Sequence, residues 1–232
     1  MKRLSKIKPF FVLSIIGALC ACSDNEQAHV KGIDVSHFQG DVDWKAVKAD
    51  GVGFAYIKAS EGVTLGDAKF AANWQGAKHQ SIYRGGYHVF APDDDGKAQA
   101  QHFITRLKSE KVDYNGALPP VLDIEAIPQD RLACARPQIK KWLKHVEATL
   151  GCKPIIYTSP ATWDEEFPGA FTGYELWLAD YAEAPTLPTG WKNWTFWQHS
   201  NTGQKRGIEG AVDLDRFNGT AHQLARTTCF KW

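Results

Sequence analysis

Between Val30 and Thr158, short β-rich runs alternate with helical stretches five times in succession. That order restricts the chain to a parallel sheet flanked by helices. Gly32 to Val35 reads as the first strand, and Asp43 caps a short amphipathic helix through Val47 to Ala49, stopped by Asp50-Gly51. Phe54 to Ala59 precedes a helix over Ala68 to His79. Ser81 to Phe90 precedes one from Gly96 to Leu107, led in by three aspartates. An apolar strand from Val121 to Glu125 is followed by a helix over Pro137 to Leu150, and Pro154 to Thr158 opens the fifth unit. Beyond it, Glu175 to Ala179, Trp194 to His199 and Val212 to Phe217 read as strands separated by turn chemistry such as Pro188-Thr189-Gly190. Eight strands with helices mainly on the first five predict an irregular α/β barrel.

The chain has 232 residues, 44% of them hydrophobic and 23% charged, enough for one large domain with its own core. Residues 1–21 read as an export signal, with a basic start from Lys2 to Lys8 and an apolar run from Phe10 to Leu19 too short to span a membrane as a mature anchor. Leu19-Cys20-Ala21-Cys22 resembles a bacterial lipobox, with Cys22 as the lipidated residue and residues 22–29 as a tether. Plain signal cleavage, giving a soluble periplasmic or secreted protein, is the alternative. The barrel domain is then expected over residues 30–232. Cleavage before Cys22 removes Lys2, Arg3, Lys6 and Lys8, lowering the basic count from 27 to 23 against 26 acids, a net charge of −3. That balance disfavours a nucleic-acid partner, and a monomer is expected.

Export permits disulfides, and Cys134, Cys152 and Cys229 remain in the mature domain. The helix between Cys134 and Cys152 holds their Cα atoms farther apart than the ~7 Å a disulfide allows, unless the chain loops back. Cys229 is therefore expected as one partner. No cysteine or histidine pair has zinc-ligand spacing, so neither a metal nor a cofactor is expected.

Active sites of such barrels sit at the carboxyl ends of the strands. Asp123 and Glu125 close one strand at i, i+2, so they share a face with Cβ atoms roughly 6–7 Å apart. Like charges that close push one pKa up, placing a proton donor beside an ionised partner, the pairing that glycosidic cleavage uses. Asp34, Lys58 with Glu61, Tyr87 with His88, Tyr157, Trp177 with Asp180, Gln198 and Asp213 fall at other strand ends. Each alone has a structural explanation; a full rim of acids and aromatics is hard to explain as packing. Aromatic rings stack on sugar C–H faces while amides and acids meet the hydroxyls. Among the nine tryptophans, Trp44, Trp74 and Trp142 are expected between helices and barrel.

The ordered set Gly32-Ile-Asp-Val-Ser-His-Phe-Gln-Gly40, Tyr56-Ile-Lys-Ala-Ser-Glu-Gly62, Gly86-Tyr-His-Val-Phe90, Asp123-Ile-Glu125, Tyr157-Thr-Ser159, Leu176-Trp-Leu-Ala179, Trp197-Gln198 and Val212-Asp-Leu-Asp215 resembles the glycoside hydrolase family 25 lysozymes. The resemblance implies a TIM-like (β/α)5(β)3 barrel and a retaining N-acetylmuramidase that cuts peptidoglycan between N-acetylmuramic acid and N-acetylglucosamine. It implies Glu125 as general acid and base, with Asp123 assisting attack by the substrate's own acetamido group. Asp34 and Asp213 would bind substrate and hold the electrostatics. Tyr56, Tyr87, Tyr157, Trp177, Trp197 and Gln198 would line the groove. Lys58 and Glu61 are equally expected as a structural ion pair. The chain departs from the pattern at Asp215, where asparagine is common, and at Asp180-Tyr181. A lipoprotein that binds glycan without cutting it, and a glycosidase of chitin-like oligomers, are the rival readings.

Overall fold

The computed structural model describes residues 29–109, 116–125 and 127–229. The export signal, Cys22, the tether up to residue 28 and Trp232 lie outside the described residues. Strands β1 (Val30–Val35), β2 (Phe54–Glu61), β4 (Tyr83–Val89), β5 (Val121–Asp123), β6 (Ile155–Thr158), β7 (Glu175–Ala179), β8 (Phe196–Gly203) and β9 (Val212–Phe217) form the wall, and β3 (Leu65–Gly66) is a short arm on β2. The ring closes because β1 pairs in parallel with β2 and antiparallel with β9. Among the wall strands, every pairing from β1 through β8 is parallel and the two made by β9 are antiparallel, while the β3 arm pairs antiparallel with β2. Helices α1 (Trp44–Ala49), α2 (Phe70–His79), α3 (Gly96–Ser109), α4 (Leu132–Leu150) and α5 (Pro160–Glu166) follow the first five wall strands, while β7 and β8 are followed by loops. The expected irregular barrel is therefore the one observed.

Period-two alternation sorts the side chains into two cores. Outward residues such as Ile33, Ile57, Leu122, Ile156 and Leu176 pack with Trp44, Trp74 and Trp142 in the helix-to-barrel layer, as expected of those tryptophans. Trp163 and Trp191 join the same layer, with ring centroids 4.9 Å apart. Inward residues Phe54, Tyr56, Val121, Ile155, Trp177, Phe196 and Phe217 fill the barrel. Glycines make room for these rings: a Cβ on Gly32 would run into Phe54, and one on Gly85 into Tyr56. Helix α6 (Ala221–Arg226), held by a capping box between Thr220 and Gln223, plugs the amino-terminal end of the barrel with Leu224.

Local signals explain most element starts. Asp43 accepts the Lys45 and Ala46 amides at the head of α1, and Asp95 accepts those of Lys97 and Ala98 at the head of α3. Ser159 caps α5, with Pro160 in the first turn. Helix α4 differs from expectation, beginning at Leu132, five residues before Pro137. Proline lacks only the one N–H that would bond back a turn earlier, and that first turn is mostly exposed, so water can reach the freed carbonyl. Cys152, just past α4, is bonded to Cys229 with Cα atoms 5.6 Å apart, leaving Cys134 free and exposed. Cys229 also donates its amide to the Ala117 carbonyl at 2.7 Å, lacing the carboxyl-terminal segment across the base of the barrel.

Candidate active site

The regular ladder of β5 ends at Asp123, two residues before the expected end at Glu125. The backbone nevertheless stays extended, because the Ile124 amide donates to the Tyr157 carbonyl at 2.9 Å and the Phe90 amide to the Asp123 carbonyl at 2.9 Å. Leu122 and Ile124 face the helix layer, whereas Asp123 faces the barrel mouth, buried to 7% exposure. Glu125 is exposed, and its charge still acts on Asp123. Burial pushes the Asp123 carboxyl well above the usual range; the Glu125 charge adds to that, and the Lys58 ammonium opposes it. One oxygen of Asp123, Oδ1, is buried without a hydrogen-bond partner.

Lys58 reaches this spot because it keeps the inward parity of Tyr56, and a bulge just after it shifts the register so that Ser60 turns outward to His88. Its Nζ lies 2.7 Å from Glu61 Oε2, the ion pair that the sequence allows as a structural reading. Opposite β5, Asp34 of β1 stands level with Asp213 of β9, and Gly32 with Asp215. Asp34 is held well above the ordinary carboxyl range, chiefly by burial and then by the charges of Asp215 and Asp213. Burial also raises Asp213, and lifts Asp215 to about 8 against the hydrogen bond it accepts from the Trp177 indole at 2.8 Å. Carboxyls this close can share protons.

Gln198 links the two sides. Its Nε2 donates to Asp34 Oδ2 at 2.8 Å, and its Oε1 accepts the hydroxyls of Tyr157 at 2.9 Å and Tyr181 at 2.8 Å. Burial raises the Tyr157 phenol far above its usual value and the charges of Asp123, Asp34 and Glu125 add to it, so Tyr157 is a permanent hydrogen-bond donor. Glu125, Tyr157, Ser159, Thr162, Asp180 and Tyr181 are among the residues around an open cleft of about 490 Å3. A larger hollow of about 670 Å3, between Gln39–Asp43 and the tip of the β8–β9 hairpin, contains none of the inward-facing acids.

Three expected groove residues, and His88 of the expected rim, are placed differently. Tyr56 has no exposed surface; its ring stacks on Trp177 with centroids 4.6 Å apart, and its hydroxyl donates to the Pro119 carbonyl. Trp177 lies at 2% exposure beneath Tyr87 and Tyr157, whose rings meet it edge-on, so it is floor rather than wall. Trp197 sits between inward Phe196 and inward Gln198, so alternation turns it to the outer face, where Arg216 covers its ring and its indole donates to the Asp180 carbonyl. His88 likewise faces outward, between Ser60, Gln99 and Trp142, and burial lowers it to about 3, leaving a neutral packing residue. Tyr181 was not expected in the cleft, although it continues the inward parity of Trp177 and Ala179.

Comparison with known proteins agrees with this architecture. Residues 33–208 match the model of the family described as Glycosyl hydrolases family 25. Over 207 residues the chain is 39% identical to lysozyme M1 of Streptomyces globisporus, covering 84% of this chain and 70% of that protein. It is 33% identical over 222 residues to an N,O-diacetylmuramidase of Arthroderma benhamiae, covering 91% and 92% of the two chains. The crystal structure of the lysozyme from Streptomyces coelicolor superposes with a TM-score of 0.78 at 36% identity, covering 87% of this chain and 97% of that one. The chain belongs to the glycosyl hydrolases of family 25 and is a glycosidase.

Proposed function

We propose that this glycosidase hydrolyses peptidoglycan as a retaining β-1,4-N-acetylmuramidase, with Glu125 as general acid and base and Asp123 as the group that steadies the substrate's acetamido arm. The observation that carries the reading is the contrast at the end of β5, an exposed carboxyl in the cleft two residues from a buried one with a free acceptor oxygen. Glu125 can meet a bridging oxygen arriving from solvent. Asp123 Oδ1 can accept the N–H of an acetamido group that no protein donor already occupies.

In the first step the Glu125 carboxyl gives its proton to the glycosidic oxygen, the bond from C1 to that oxygen breaks, and the acetamido oxygen bonds to C1. Asp123, whose ionised form the Lys58 charge favours against burial, accepts the acetamido N–H and balances the positive charge of the ring so formed. In the second step water attacks C1, its proton passes to Glu125, and the acetamido bond to C1 opens. Two displacements at one carbon retain configuration. Because the substrate supplies the nucleophile, the spacing of the two carboxyls does not diagnose the stereochemistry as it does in enzymes that use both directly. Asp34 and Asp213 would hold sugar hydroxyls, with Tyr87, Tyr157 and Gln198 around the ring.

The same reading extends to the beginning of the chain, exported and lipid-anchored through Cys22, in the outer membrane if the cell is Gram-negative. Membrane fractionation that is unchanged in Cys22→Ala would refute the anchor. Mass spectrometry of products released from peptidoglycan by the purified soluble domain tests the chemistry. A muramidase leaves N-acetylmuramic acid at the reducing end, and products ending in N-acetylglucosamine would refute the assignment.

A further inference from the structure

We infer that Tyr181 is a positioning residue of the active site, acting through the Gln198 side-chain amide on Asp34. The inference deepens the proposed glycan reading and rests on it for its kinetic consequences, but not for its structural ones.

A primary amide has one acceptor oxygen with two lone pairs, and a nitrogen with two N–H groups. Gln198 Oε1 receives two phenol hydroxyls, from Tyr157 and Tyr181, so both acceptor positions are used, while Nε2 donates to Asp34. Turning the amide over would set its oxygen against the Asp34 carboxyl oxygen and its N–H groups against the two phenols, which would then have to accept and send their own hydrogens elsewhere in a site where Gln198 is only 3% exposed. The two tyrosines thus hold the oxygen end of Gln198 in place, and Gln198 in turn supplies an N–H to Asp34.

The two tyrosines are not equivalent. Tyr157 is on a wall strand and packs edge-on against Trp177. Tyr181 is 52% exposed and belongs to the loop after β7. That loop is held in place by Asp180, whose carboxylate accepts the Ala182 and Thr186 amides and whose carbonyl accepts the Trp197 indole. The loop therefore presents a half-bare aromatic ring to the cleft shared with Glu125 while its hydroxyl reaches the buried network. A sugar resting on that ring would press the phenol onto Gln198, so that binding at the surface and orientation of Asp34 are coupled.

The test compares Tyr181→Phe, Tyr181→Ala, Gln198→Leu and the double variant Tyr181→Phe with Gln198→Leu. In Tyr181→Phe, NMR of the Gln198 side-chain amide should show hydrogen exchange roughly tenfold faster, the size of effect expected from one lost neutral hydrogen bond. The kcat should fall about fivefold with KM nearly unchanged, and any pH limb governed by Asp34 should move to higher pH, since the Gln198 N–H favours its ionised form. Tyr181→Ala should in addition raise KM. In the Gln198→Leu background the Tyr181→Phe change should have no further effect on kcat. A Gln198 amide that exchanges as in the parent, or a Tyr181→Phe effect that persists undiminished without Gln198, would overturn the inference. If the protein proves inactive on peptidoglycan but the amide responds as described, the positioning claim stands while the glycan reading falls.

Discussion

Asp215 accepts the indole N–H of Trp177 at 2.8 Å inside the barrel, joining the floor beneath the cleft to the acid cluster around Asp34. The acid is 1% exposed, and its pKa is lifted to about 8, mainly by burial.

A consequence for stability follows from proton counting. The folded state holds a proton on Asp215 that the unfolded chain, with a pKa near 3.8, gives up, so the stability this proton contributes is full below about pH 4 and is lost as pH rises towards 8. One such proton gives a slope of up to ~1.4 kcal/mol per pH unit. Asp215→Asn keeps an acceptor for Trp177 and cannot ionise, so its urea-unfolding free energy should fall less between pH 5 and pH 8 than that of the parent. Equal slopes would contradict the burial of this charge.

Lys58 is the cation whose charge favours ionised Asp123, against burial and the charge of Glu125. Lys58→Met should therefore shift the acid limb of kcat to higher pH and lower activity at pH 5 more than at pH 8. A uniform loss at all pH values would assign Lys58 a purely structural part in its pair with Glu61.

Gly85 leaves the space that the Tyr56 ring occupies, and a Cβ there would also stand 3.1 Å from the Leu118 Cβ. Gly85→Ala should destabilise the domain by about 1–3 kcal/mol, the usual range for overfilling a packed core. Chemical denaturation of the purified variant gives the number directly.

The Cys152–Cys229 bond closes a loop with a sequence separation of 77, for which chain entropy alone predicts a stabilisation of about 4–5 kcal/mol. Cys229→Ser should lower the melting temperature, and reducing agent should then have no further effect, whereas the parent should lose stability on reduction. Cys134→Ser should leave stability nearly unchanged, because that side chain is exposed and unbonded.

The barrel was readable because alternating β and α periods fix a parallel sheet, and because Asp43 and Asp95 mark helix starts by side-chain caps. The start of α4 was not, since a proline normally opens a helix and nothing local signals that the preceding turn joins it. Within the site, parity was the signal that mattered. Trp197 and His88 each follow an inward residue by one position, which alone puts them on the outer face, whereas Tyr181 follows Ala179 by two. Family motifs list Trp197 beside Gln198 without saying that neighbours on a strand point opposite ways. The depth of Tyr56 and Trp177 below the cleft depends on how far each strand is staggered around the closed barrel, which no single strand's sequence records.

The central claim is that Glu125 moves the proton that breaks the glycosidic bond. Its most direct test is the rate of muropeptide release, followed by mass spectrometry, for Glu125→Gln beside the parent domain under identical conditions. The account predicts a loss of roughly 100-fold or more with folding and glycan binding intact, as expected when a general acid is removed. Release of the same products at an undiminished rate would contradict it.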